Sequence, residues 1–495
     1  MLGAAHRNPG FKGGVWVLAT IAALLSTPVI IFSVFGYDIN PAFFLAPVIG
    51  LAFIMSPGYV GGFYVAAFLC GILSILAADR LSPDGEMTKH FLSLTLIMFA
   101  PSFLFLGRAI SRGFSVRLVI RWLAVFSSIF TVVVAGRILF LDEGVRVYVG
   151  PLGLASMNAE FLGVPVFASF GVLSLAHLFC LQAMMICGAL VGEKSKQHVV
   201  LFGVGLFSAA FLIMGSDSRS AQILFAWIGF TIVIYPLLTR ERVVRSLVAL
   251  IIVVMGAVFS YSRMTESRMA ETIAAMAEPT SPEGYEGDGP DSTANSYAKK
   301  SDEKESKDTL SHSTKTYRGA DIMSGGANAH SRGSSAVTAE EVVQKADAFA
   351  TGRVELAING VREVLASPFV GNGFSSYGRY DSNGETSEML KMNTSTHIYY
   401  LTLVWKGGLL FAIPCLGMML FAVRNGWVAR RTTDRSCARF YTWSAVLMAF
   451  GPMACAWDIL IVPSAGAVAF FLLGVLSASG GSNHHSDTSS GTGLA

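Results

Sequence analysis

The sequence predicts an all-α polytopic membrane protein, and three observations predict it. Of 495 residues, 53% are hydrophobic and only 14% charged, and the mean hydropathy of +0.56 lies outside the range of ordinary soluble domains. Apolar windows approaching the ~20 residues that a helix needs to cross the hydrocarbon recur along the chain. One long polar stretch, 262–396, interrupts them. The expected fold is therefore about twelve transmembrane helices with one large loop between the ninth and tenth spans.

The windows fall at 15–35, 41–55, 59–78, 91–106, 118–140, 164–191, 198–214, 221–238, 247–260, 398–423, 440–457 and 459–477. The first exceeds the apolar core of a signal peptide and many spans follow it, so it reads as a retained helix. The second is short, and only a Ser56-Pro57-Gly58 turn separates it from the third, so a re-entrant pair is an alternative there. The chain divides into an N-terminal bundle (1–261), the polar loop (262–396), C-terminal spans (397–478) and a polar tail (479–495).

Cations set the orientation, because Lys and Arg in short loops stay on the cytoplasmic side. With the N-terminus inside, the cytoplasmic segments collect Arg7, Lys12, Arg108, Arg112, Arg117, Arg121, Lys194, Lys196, Arg240, Arg242, Arg245, Arg424, Arg430, Arg431, Arg435 and Arg439. The opposite loops hold fewer cations, mixed with Asp and Glu. Both termini are thus expected in the cytoplasm and the large loop outside. The net charge of +3 follows from this distribution and gives no basic patch for nucleic acid. The six cysteines all lie in spans or the cytoplasmic loop, with no disulfide framework or thiolate metal spacing.

The polar loop is not uniform. From about 278 to 337 it is dense in Ser, Gly, Thr, Asp and Lys, too poor in apolar residues to offset the entropy of ordering, so disorder is expected. Before it, Met269, Ile273 and Met276 share one helical face, an extension of the ninth span. After it, Val354, Ile358, Val361 and Leu365 form an apolar stripe that predicts an amphipathic helix over about 353–366, ended by Ser367-Pro368 and lying against the membrane surface or the bundle. A glycine-rich turn, Val370-Gly371-Asn372-Gly373-Phe374, follows.

The order Gly352-Arg353, amphipathic helix, Ser367-Pro368-Phe369-Val370-Gly371-Asn372-Gly373-Phe374, variable polar stretch, His397, Tyr399-Tyr400-Leu401, Gly407-Gly408-Leu409 resembles the O-antigen ligase and polymerase superfamily. Met214-Gly215-Ser216-Asp217-Ser218-Arg219-Ser220, at the outer end of the seventh span, is similar to that family's Ser-Arg-small motif at the same topological place. The resemblance implies a GT-C-like, metal-independent, inverting glycosyltransferase of the bacterial inner membrane, with its loop periplasmic and no cofactor. Its donor would be an undecaprenyl-diphosphate-linked oligosaccharide. Its acceptor would be another lipid-linked glycan in a surface or exopolysaccharide polymerase, the reading favoured, or lipid A core in a ligase. Membrane lipids and other polysaccharide assembly proteins would be its partners, and nucleic acid would not.

A diphosphate leaving group needs fixed cations, and an acceptor hydroxyl needs a base. Arg219 stands at a membrane-water boundary where a guanidinium meets phosphate bidentately, or serves as a snorkelling anchor or partner of Asp217. Arg146, ahead of the sixth span, is the second clamp by resemblance, or a loop cation beside Asp142 and Glu143. Arg353 and Arg379 are further outer-loop cations, or a solvated helix start and a cation of a flexible stretch, respectively. His397 is the candidate base, or a member of an interfacial belt with Tyr399 and Tyr400. Ile398 stands where the family often carries Asn after this histidine. Lys406 lies about 13 Å along the tenth helix from His397, facing a polar cavity, a carboxylate or the donor diphosphate.

Two other classes fit the span count. A transporter or flippase also has about twelve spans, and Pro28, Pro47, Pro101, Pro165 and Pro414 are places for helix breaks around a midplane site. A non-catalytic subunit of an assembly complex would use the loop for docking. The absence of a repeat between halves and the presence of the 352–397 segment count against the transporter.

Overall fold

The computed structural model describes residues 9–27, 32–34, 37–39, 41–55, 58–79, 87–141, 158–161, 164–167, 171–193, 195–216, 218–262, 353–374, 396, 398–432, 436–456, 458, 460–461 and 463–478. The expected insert at 278–337, the extension at 263–277 and the tail at 479–495 lie outside them.

A helix occupies each of the twelve apolar windows. In chain order these are α1 (Pro9–Ser26), a 3-10 turn (Pro41–Leu45) leading into α2 (Ala46–Met55), α3 (Gly58–Asp79), α4 (Met87–Gly113), α5 (Val116–Leu141), α6 (Gly171–Gly192), α7 (Lys196–Gly215), α8 (Arg219–Thr239) and α9 (Val243–Tyr261). After the polar segment come α10 (Arg353–Ala366), α11 (Tyr399–Thr432), α12 (Cys437–Met448), a π turn (Ala449–Met453), the short α13 (Ala454–Ala456) and α14 (Pro463–Ala478). Among the described residues, eight helices are long and apolar enough to cross a membrane: α3 to α9 and α11. The chain is thus an all-α, multi-pass membrane protein.

Two windows are only partly helical. α1 stops at Ser26, where the Thr27 hydroxyl donates to the Ala23 carbonyl (2.7 Å) and Pro28 disfavours helix at the residue before it. Short strands Phe32–Val34 and Tyr37–Ile39 then pair as a hairpin. In the sixth window, Val164–Phe167 is a strand paired with Asn158–Phe161, with Pro165 opposite Glu160, and helix begins only at Gly171. Pro101 and Pro414, in contrast, sit inside α4 and α11.

α6 and α14 form the centre. From Ala465 to Leu476 every hydrophobic residue is at most 1% exposed. Lipid tails are as apolar as Leu, so helices here are held by close backbone approach and interhelical hydrogen bonds. α4 and α14 run parallel and touch through two glycines. A Cβ on Gly107 would lie 2.2 Å from the Phe471 carbonyl oxygen, and one on Gly474 2.2 Å from that of Leu104. Elsewhere the Gln182 amide donates to the Ser26 carbonyl (2.9 Å), and Trp227 and Thr231 on α8 both bond the Ser444 hydroxyl on α12 (3.0 and 2.7 Å).

One end of the bundle gathers arginines. Arg117 donates to the Gly192 carbonyl (3.2 Å) and Arg242 to that of Val191 (2.6 Å). Arg245 donates to the carbonyl of Glu193, and Arg121 pairs with the Glu193 carboxylate (3.2 Å). The last carbonyls of α6, which have no intrahelical donor, are thus capped by cations that also suit the negative end of the helix dipole. A cavity of about 320 Å³ opens among these residues.

Replacing Gly107 with Val should lower stability by about 1–3 kcal/mol, because a backbone carbonyl cannot move aside. Gly136→Ala, with nothing within 4 Å, should leave it unchanged or raise it. Thermal unfolding of the purified protein in detergent checks both.

Candidate functional site

At the other end of the bundle α11 is broken, and a loop from the polar segment completes it. Gly408 has φ 64° and ψ −174°. In a continuous helix the amides of Leu409 and Leu410 would bond the carbonyls of Trp405 and Lys406. Here Leu409 donates to the Pro368 carbonyl (2.8 Å) and Leu410 to that of Phe369 (3.1 Å). The two carbonyls left over accept from Asn372 (2.9 Å) and Gly373 (2.8 Å). Four backbone groups exchange partners, and none is left unpaired where water is scarce. Ser74 of α3 adds a bond to the Gly407 carbonyl (2.8 Å).

The glycines of this turn follow from its closeness. A Cβ on Gly371 (φ 69°) would lie 2.5 Å from the Gly408 nitrogen and the Lys406 oxygen, and one on Gly408 would lie 2.1 Å from the Phe369 oxygen. A left-handed backbone and a backbone-to-backbone contact together leave room only for glycine. Ser367 closes the turn, its hydroxyl donating to the Gly371 carbonyl (2.9 Å). Phe374 is fully buried edge-on to Phe411 (5.0 Å between centroids), and its amide donates to Nδ1 of His90 on α4 (3.0 Å). When neutral, His90 therefore carries its proton on Nε2.

Lys406 precedes the break and is 2% exposed. Asp458, 6% exposed on the stretch between α13 and α14, is the carboxylate that acts on it electrostatically. One turn above Lys406, the Thr402 hydroxyl donates to Asp458 Oδ2 (3.1 Å). Thr402 in turn accepts from the Thr396 amide (3.0 Å), and the two hydroxyls lie 2.8 Å apart. Trp405 donates to Glu363 Oε2 on α10 (2.6 Å). A buried cation, a carboxylate and two hydroxyls thus converge beside the residues that flank position 397. Such a group can hold an anionic oxygen or pass a proton.

The Ser216 to Ser220 turn is built by its own serines. Ser216 bonds the Ile213 carbonyl (2.7 Å), Ser218 caps α8 by accepting from the Ala221 amide (3.4 Å), and Ser220 contacts Nε2 of the buried His177 on α6 (3.1 Å). These hydroxyls shape the turn that makes Arg219 the first residue of α8. Arg353 likewise opens α10; both side chains lie outside the described residues. His397, Arg146 and Arg379 lie outside them entirely.

Of the sequence candidates, Lys406 is therefore the one whose surroundings are described. His90, His177, Thr402 and Asp458 were missed. A histidine or aspartate inside or at the rim of an apolar window is the signal that marks them. Among the described residues no group of three or more His, Cys, Asp and Glu has metal-binding geometry.

Removing one member of a buried charge pair leaves the other uncompensated, at about 3–5 kcal/mol. Lys406→Met and Asp458→Asn should each destabilise the protein, and the double variant should lose less than their sum, a coupling of about 0.5–3 kcal/mol. Unfolding titrations in mixed detergent micelles measure it. The chain matches no family model, and no curated protein matches it in sequence.

Proposed function

We propose that the chain is a membrane glycosyltransferase that moves a glycan from undecaprenyl diphosphate to an acceptor hydroxyl at the periplasmic face of the bacterial inner membrane. The observation that carries this reading is that two of the segments bearing the family resemblance, 367–374 and 396–410, meet one another. The 367–374 turn hydrogen-bonds to 405–410, and Thr396, next to His397, bonds Thr402 and through it Asp458.

In the proposed reaction His397 takes the proton of the acceptor hydroxyl as that oxygen attacks the anomeric carbon. The bond to the diphosphate oxygen breaks on the opposite face, and undecaprenyl diphosphate leaves with the electron pair. Arg219, assisted by Arg146, Arg353 or Arg379, stabilises the charge that develops there. Lys406 supplies a further, buried cation on whose charge Asp458 acts. A surface or exopolysaccharide polymerase is the preferred subfamily and an O-antigen ligase its near alternative, since no residue of the site specifies the acceptor.

The break in α11 also favours a second reading. Transporters place substrate and ion sites at interrupted helices near the bilayer midplane, and Gly408 makes such an interruption beside a buried cation.

Glycans from a deletion strain separate these readings. Loss of long polymer while single repeats remain means a polymerase, and full-length polymer stranded on the lipid carrier means a ligase. Unchanged glycan overturns both and leaves the transporter. His397→Ala should lower product about 10²–10⁴-fold and Arg219→Ala should also abolish long product, each at unchanged protein level. A strain that tolerates both would instead point to a scaffold.

A further inference from the structure

The amphipathic helix α10 is oriented opposite to a helix of a soluble domain. Its sides toward the bundle are small and polar: Gly360 packs on Thr396 and Leu401, and Glu363 bonds Trp405. Its apolar stripe faces away. Ile358, Val361 and Leu365 are 37%, 46% and 73% exposed, and Phe369, just beyond, is 65% exposed. A stripe of this kind would aggregate in water. It is the arrangement expected of a surface whose solvent is hydrocarbon.

Three contacts fix the direction of α10. Gly360 meets Leu401, Glu363 meets Trp405, and Pro368 meets Leu409. The two helices therefore run side by side in the same sense, advancing together. α10 does not lie flat on the membrane surface. It descends along α11, and the turn at its end reaches Leu410, roughly 15 Å along α11 from Tyr399 at helical rise. That distance is about half the ~30 Å hydrocarbon thickness. At that level Phe369 is bonded through its backbone to Leu410, and the outward face of α11 continues as Leu410, Ile413 and Leu420, all exposed on a helix that qualifies as a membrane span.

We infer that the 353–374 segment is re-entrant: the second half of α10 and its turn are inserted into one leaflet, with Leu365 and Phe369 against lipid acyl chains. The occupant of the apolar stripe is the bilayer itself, because the stripe is continuous with the lipid-facing side of α11. Thr396, the next described residue after Phe374, lies beside Gly360 toward the rim. This placement does not depend on which reaction the site performs.

Single cysteines carrying the environment-sensitive fluorophore NBD test the insertion, in the full chain with Cys70 and Cys455 replaced by Ser and reconstituted into phosphatidylcholine nanodiscs. Leu365→Cys and Phe369→Cys are the reporters, with Ile413→Cys as the lipid-facing reference and Ser115→Cys as the aqueous one. The expected result is blue-shifted emission at 365 and 369, with at least half the quenching by doxyl-labelled phosphatidylcholine seen at 413. Emission and quenching like those at 115 would overturn the inference, as would blue-shifted emission with no quenching, since the stripe would then be covered by protein. Val361→Cys gives the same readout should Phe369→Cys fail to elute as a monodisperse species.

Discussion

The structure around the candidate site depends on one constraint: in hydrocarbon, every backbone amide and carbonyl must find a partner within the protein. A break in a transmembrane helix leaves two amides and two carbonyls exposed, each costing several kcal/mol if unpaired. The turn at 368–373 supplies two carbonyls and two amides at the matching positions. The last piece of the polar segment is thereby made structurally part of α11. Glycine at 371 and 408 follows from the closeness this requires.

The same constraint organises the far end differently. There the α6 carbonyls are terminal, and arginines from α5 and from the start of α9 satisfy them. The cations counted for orientation are therefore also capping groups, so part of the positive charge on that face is spent on holding α5, α6 and α9 together. Toward that same end, contact through Gly107 and Gly474 lets α4 and α14 approach to backbone distance.

Helix positions were legible because span length and apolar composition are set by the bilayer. The stripe over 353–366 was legible from its period, and its end at Ser367-Pro368 from turn chemistry. What the sequence did not disclose was which way the stripe faces. Periodicity reports that one side is apolar without saying whether protein or lipid covers it, and only the pairing of Gly360 and Glu363 with α11 decides. The break at Gly408 was equally hidden. Prolines are the usual guide to broken helices, yet Pro101 and Pro414 lie in unbroken stretches, while a Gly-Gly pair opened the helix because a turn from elsewhere could replace its bonds. Asp458 escaped notice because its partners, Thr402 and Lys406, are about fifty residues away and meet it only in the folded bundle.

A buried lysine beside a membrane-inserted turn is costly, and its surroundings indicate how the cost is offset. Asp458 acts on its charge, Thr402 holds Asp458, and Thr396 holds Thr402, so the polar chain runs from the depth of the break up to the rim. The lower end of that path is Lys406, whose carbonyl accepts from the Gly373 amide of the turn. In a straight α11, the amides of Leu409 and Leu410 would reclaim the carbonyls of Trp405 and Lys406, and the turn carrying Phe374 to His90 would lose its anchor. The inserted segment and the polar chain therefore share Lys406. A ligand that binds Lys406 would stabilise the re-entrant turn, and a change that expels the turn would weaken binding to the same degree.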